Sequence, residues 1–121
     1  MDNKTTLVIG ASENPDRYSN RAIKSLVRHN QQVKAIGLRN GSVEGVQITK
    51  DHEEFKDIDT VTLYLNNKNQ KQYEEYILSL KPKRIIFNPG AENEDFAIRA
   101  NEKGIKTLEA CTLVMLSTGQ Y

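Results

Sequence analysis

One cysteine, Cys111, is all the chain contains, so no disulfide can close within it. Neither sign of charge predominates: 17 lysines and arginines stand against 16 aspartates and glutamates. A chain that binds nucleic acid or a membrane surface through its net field carries a basic excess, and there is none here. No apolar run comes near the roughly 20 residues that a membrane-spanning helix needs. Met1-Asp2-Asn3-Lys4 has no apolar signal region. Together these absences favour the cytoplasm, with no nucleic-acid or membrane partner.

Catalytic signatures are also missing. There is no G-x-S-x-G nucleophile elbow, and no His, Cys, Asp and Glu set has metal-ligand spacing, so the sequence nominates neither catalytic nor metal-binding residues. His29 falls at a helix end and His52 in a charged loop, the placement of surface residues. Cys111 falls at a strand end, as the sole thiol nucleophile on offer, and fits a small buried structural residue better. After Gly10 the next glycine is Gly37, so the G-x-G-x-x-G fingerprint of dinucleotide sites is absent.

What is present centres on Leu7-Val8-Ile9-Gly10-Ala11-Ser12. An apolar, β-branched run stops at a glycine, a polar loop follows through Asn20, and Ala22, Ile23, Leu26 and Val27 then mark one face of a helix. Strand, tight turn and helix N-terminus form an anion site: the first amides of the helix lack partners and its dipole favours negative charge. Ser19 and Asn20 are good N-cap residue types for that helix.

The 121 residues suit one domain with a real core. Strands are expected over residues 5–10, 32–39, 59–65, 84–87 and 105–110. A short edge strand is expected around Val43 and Val46–Thr49, between the turn signals Asn40-Gly41 and Gly45. Helices are expected over 19–30, with Asn30 as a left-handed cap, and over 70–80, with Asn69 and Gln72 as a capping pair and Lys81-Pro82 as the stop. A third starts at Asn93 and ends at Lys103-Gly104. Lys50–Asp57 reads as a loop or one helical turn. Cys111–Tyr121 is open between a buried helical turn and a strand extension. Strands alternating with helices mean right-handed crossovers: an α/β fold, a three-layer sandwich with a mostly parallel sheet of five or six strands and helices on both faces.

Ligands of such sheets bind outside the carboxyl ends of the strands. Those ends carry Gly10-Ala11-Ser12, Leu38-Arg39, Leu65-Asn66, Asn88-Pro89-Gly90 and Ala110-Cys111. Small residues and hydrogen-bond donors prevail, which suits a nucleotide with phosphates. The bland readings are turn closure for Gly10 and Pro89-Gly90, local capping for Ser12 and Asn20, solvation for Arg17, and packing over the loop for Tyr18. Tyr64 and Phe87 read as core. Arg39 stands where NAD sites place an acid on the ribose hydroxyls, so plain NAD is disfavoured and a ribose phosphate is welcome. Coenzyme A, with its 3′-phosphate, and NADP, with its 2′-phosphate, both satisfy that.

Several stretches taken together resemble a known family. They are Val8-Ile9-Gly10-Ala11-Ser12 with Pro15-Asp16-Arg17-Tyr18-Ser19, Gly45-Val46, Phe87-Asn88-Pro89-Gly90-Ala91-Glu92-Asn93-Glu94, and Ala100–Gly104 followed by Cys111. Over nearly its whole length the chain is similar to the small stand-alone coenzyme A-binding domain proteins and to the nucleotide-binding domain of the succinyl-CoA synthetase α subunit. The resemblance implies a Rossmann-like fold and a CoA site. Its phosphate loop maps onto Gly10, Ala11, Ser12, Arg17 and Ser19, with Tyr18 and Asn20 beside it. Its adenosine side maps near Arg39, and its pantetheine side near Asn66, Pro89 and Gly90. Many relatives carry Asn-Pro after the second strand, where this chain has Leu38-Arg39-Asn40-Gly41.

The first functional reading is therefore a module that binds CoA or an acyl-CoA without catalysis. The alternatives are an NADP-linked oxidoreductase, or a regulatory or interaction domain whose nucleotide site is vestigial. A small domain with a partly apolar tail is also compatible with a homodimer.

Overall fold

In the computed structural model, which describes residues 4–121, the chain runs β1 (Thr5–Ala11), α1 (Tyr18–Arg28), β2 (Gln32–Gly37), β3 (Gly41–Val43), β4 (Val46–Thr49), β5 (Thr60–Leu63), α2 (Asn67–Leu80), β6 (Arg84–Phe87), α3 (Glu94–Glu102), β7 (Lys106–Glu109) and α4 (Thr112–Ser117). The reading of Met1-Asp2-Asn3 lies outside the described residues. The strands form one sheet in the order β3-β4-β2-β1-β5-β6-β7. Only the β3–β4 pair is antiparallel among the described strands.

The alternation of side chains along each strand divides the core in two. On one face Leu7, Ile9, Val61, Leu63, Ile85 and Phe87 pack against Tyr73 and Ile77 of α2 and Phe96 and Ala100 of α3. On the other, Val8, Ala35 and Ile86 meet Ile23 and Leu26 of α1 and Leu116 of α4. This is the expected Rossmann-like sandwich with helices on both faces. Among the described residues the strand count is seven rather than five or six, because the residues after β2 form a hairpin of two strands. Its turn, Glu44-Gly45, has φ of 51° and 81°, the positive values that a two-residue type I′ turn requires.

Several local expectations change. α1 is capped by Arg17, whose side chain makes no capping bond, whereas Ser19 and Asn20 lie buried inside its first turn. Asn66, not Asn69, caps α2: its Oδ1 accepts from the Asn69 amide at 2.9 Å. Strands β2 and β5 end earlier than the apolar runs suggest. β5 stops where its ladders with β1 and β6 stop, at Leu63. The tail is a helix rather than a strand. Thr112 at its start gives its amide to Asn88 Oδ1 at 2.9 Å, and its hydroxyl pairs with that of Thr62 at 2.8 Å. Residues 50–57 form no helical turn. Asn30, with φ of 62°, and Asn93, whose Oδ1 accepts from Phe96 N–H at 3.2 Å, are the expected caps. Among the described residues no helix is long and apolar enough to cross a membrane.

Of the glycines, Gly37 has the least room, since a Cβ there would lie 2.3 Å from the Ala11 carbonyl oxygen. That oxygen is backbone and cannot swing aside. Gly37→Ala is expected to cost about 1–3 kcal/mol, the usual range for overpacking. The check is the urea midpoint, which falls at an unchanged m-value; an unaltered midpoint would show that the two strands separate freely.

Candidate functional site

The strand order reverses direction between β1 and β5. Their carboxyl ends open a cleft of about 1190 Å³, above the roughly 300–1,000 Å³ of ordinary small-molecule pockets. Ten of the eleven residues expected at a ligand line it: Gly10, Ala11, Ser12, Arg17, Tyr18, Ser19, Arg39, Asn66, Pro89 and Gly90. Asn20 does not. It lies beneath the loop, where its Nδ2 donates to the Ser12 carbonyl at 2.9 Å.

The wall after β1 is built by a bulge. Ile9 pairs with Ile36 and Ala11 with Gly37, and Gly10 between them takes φ of 93°. A Cβ on Gly10 would lie 3.1 Å from the Tyr64 carbonyl, so both the backbone angle and the space call for glycine. The loop beyond it is made of short turns closed by side chains. Ser12 Oγ accepts from Asn14 N–H and Asn14 Oδ1 from Asp16 N–H, both at 3.0 Å. It leads into α1, whose first-turn amides no side chain caps. Glu13 reaches from the loop to the hairpin, where its Oε2 accepts from Ser42 N–H at 3.0 Å. Gly41 leaves room for it, since a Cβ there would meet the Glu13 carboxyl carbon at 2.4 Å.

The opposite wall is held by buried amides. Asn88 donates to Thr62 Oγ1 at 2.6 Å and to the Leu63 carbonyl at 2.9 Å while accepting from Thr112 N–H, so it joins β5, β6 and α4. Asn88 was not among the candidates, although it stands directly before Pro89-Gly90 at a strand end. Leu38 and Tyr64 were also missed. Leu38 lines the cleft 81% exposed, too exposed for a core residue, and Tyr18 does so 65% exposed, its ring 5.3 Å from the Arg21 guanidinium. Tyr64, read as core, is half-buried and lines the cleft.

Charge is segregated along the cleft. Every charged lining residue, Glu13, Asp16, Arg17 and Arg39, comes from the β1–α1 loop or the end of β2. The remainder, from Tyr64, Leu65, Asn66 and Asn69 through Asn88–Ala91 to Cys111 and Leu113, is uncharged. Cys111 is half-buried and lies on this neutral side. Neither histidine lines the cleft: His29 Nδ1 lies 2.7 Å from the Ser25 carbonyl, and the His52 ring packs against Tyr73 and Tyr76 at 4.7 and 4.8 Å. Among the described residues no group of three His, Cys, Asp or Glu is placed to hold a metal ion.

A family model for the CoA-binding domain matches residues 4–117, and the chain belongs to that family. A solved structure of an uncharacterized protein is 43% identical over 100% of both chains, with a TM-score of 0.97. A hypothetical protein from Pyrococcus horikoshii OT3 is 23% identical, covering 96% of this chain and 83% of its own, with a TM-score of 0.86. The dinucleotide-forming acetyl-coenzyme A synthetase 1 of Ca. Korarchaeum cryptofilum, solved with phosphate and ADP, has a TM-score of 0.74 at 15% identity. The match takes 88% of this chain and 25% of the synthetase, a likeness of fold alone. No curated protein matches.

Burial raises the Tyr64 phenol well above its ordinary range. The nearby Thr112 and Thr62 hydroxyls oppose the shift, but they bond each other, and Tyr64 Oη has no partner in hydrogen-bond geometry. Burial also raises Tyr73 and Tyr121, and pushes Tyr76 up to about 12. In the unfolded chain these phenols lose their protons near pH 10, roughly. The unfolded state therefore binds fewer protons above that pH, and stability falls as pH rises. Stability from these tyrosines is expected to be intact below about pH 10 and to decline above it. Tyr64→Phe should remove part of that decline and change stability at neutral pH by no more than about 1 kcal/mol, because the hydroxyl has no partner to lose. Denaturant melts across alkaline pH check both; superimposable curves for the two proteins would place the effect on the other tyrosines.

Proposed function

We propose that this chain is a binding domain for coenzyme A or an acyl-CoA and acts without catalysis, the whole chain serving as one domain. The observation that carries the reading is the segregation of charge in the cleft. A ligand that suits it has charged groups at one end and a long uncharged arm at the other, which is the construction of CoA. Support for the anionic end comes from the α1 N-terminus, whose first-turn amides have no side-chain cap, with Ser12, Ser19 and Arg17 beside it. Arg39 at the end of β2 suits the 3′-phosphate. Tyr18 and Leu38, large apolar side chains left open to solvent at the rim, suit the faces of the adenine ring. The neutral wall of Asn66, Pro89 and Gly90 suits the amide-bearing pantetheine arm.

A thermal-shift titration with CoA, dephospho-CoA, NADP⁺ and NAD⁺ tests this directly, since a ligand held only by the folded state raises the melting point by mass action. CoA is expected to stabilise most, and dephospho-CoA less. Preference for NADP⁺ would favour the oxidoreductase alternative, and no shift with any ligand would favour the vestigial site. Arg17→Ala should weaken CoA by about tenfold to a hundredfold, as expected for one charge-assisted hydrogen bond. Gly10→Val should abolish binding, and circular dichroism separates lost binding from lost fold. Wild-type affinity in both variants would refute the phosphate loop.

A further inference from the structure

Gln70 lies near the start of α2, is fully buried and lines no part of the cleft. Its side chain nevertheless joins the two segments that form the neutral wall. Nε2 donates to the Leu65 carbonyl at 2.7 Å and to the Ala91 carbonyl at 2.6 Å. Oε1 accepts from Asn93 Nδ2 at 2.9 Å. Both N–H bonds of the amide and its oxygen are therefore used. Leu65 follows β5 and Ala91 follows β6, and both line the cleft. The ladder between these strands ends at Leu63 and Phe87, so sheet pairing does not hold the two segments together beyond that point. A buried amide donating to both carbonyls sets their separation, because shifting either one leaves a buried polar group unpaired.

We infer that Gln70 is a positioning residue for the uncharged arm of the ligand. It fixes the spacing of the Leu65 and Ala91 walls without touching the ligand. It leaves the phosphate end alone, because that end rests on the β1–α1 loop and the end of β2. The inference rests on the CoA reading above.

The test is calorimetric titration of the full chain with two ligands, CoA and adenosine 3′,5′-bisphosphate. The second carries the nucleotide and phosphates but no arm. Two variants are compared with the wild type. Gln70→Met keeps the length and apolar bulk of the side chain but has no donor. Asn93→Ser keeps an oxygen to cap α3 at Phe96 and removes the amide that donates to Gln70 and to Glu74, without setting a second carboxylate against Glu74, so it probes the same network if Gln70→Met does not fold. The expected result is a loss of about tenfold in CoA affinity in each folded variant, with bisphosphate affinity unchanged within about twofold. Equal losses for both ligands would mean that Gln70 is merely structural and would overturn the proposal, as would unchanged CoA affinity. If the wild type binds neither ligand, or gains nothing from the arm, the CoA reading itself fails before any variant is compared.

Discussion

Strand β1 is paired on both sides, with β2 and β5, and the manner in which it ends decides what can be built above the sheet. Its ladder with β5 stops at Ile9, but its ladder with β2 resumes at Ala11, and Gly10 between them takes a left-handed bulge against the Tyr64 backbone. A side chain at that point would force β1 and the end of β5 apart. Gly37 fulfils the matching condition on β2 by lying directly under the Ala11 carbonyl. With both glycines in place the backbone turns at the switch point and delivers the N-terminus of α1 to the mouth of the cleft. The loop, the helix start and the charged wall all depend on that turn.

The neutral wall has a different origin. Parallel strands that stop level with one another, as β5 and β6 do at Leu63 and Phe87, leave polar backbone beyond their ends, and burial there requires partners. Asn88 and Gln70 supply them as side-chain amides, each bonding backbone or hydroxyl groups of more than one element. Uncharged amides do this without bringing a charge into the cleft. One half of the site is thus shaped by backbone and helix dipole with charged side chains at the rim, and the other by a rigid, neutral hydrogen-bonded frame. A ligand with unlike ends is the natural counterpart of such a site.

Much of this was legible in the residues because it is local. The apolar runs of β1, β5 and β6 lie at a parallel sheet covered on both faces, and the alternation with helical periods fixed the class of fold. Asn93 and Asn30 were readable as caps, since capping depends on neighbours three or four residues away. Ser19, Asn20 and Asn69 were misread for the same local reason. Each is a good cap type inside the first turn, past the true cap Arg17 or Asn66, and only the path of the loop decides which residue takes the cap. The hairpin β3–β4 was half seen: Gly45 signals the turn, but a three-residue strand has too short a pattern to recognise. Leu38 reads as a strand residue, and its exposure at the cleft rim appears only once β2 stops at Gly37.

The sequence by itself determined the main alternation of strands and helices, the glycine-terminated first strand, the balanced charge and the set of strand-end residues, because each follows from composition or from spacing within a few residues. The tertiary structure decided what those residues do together. The separation of charged from neutral lining, the half-buried place of Tyr64 and the joining of Leu65 to Ala91 by Gln70 arise from segments distant in the chain; Gln70 and Ala91 are 21 residues apart. A glutamine in a helix carries no local sign that its amide will be wholly buried and fully bonded; that depends on which loops the sheet brings to its side.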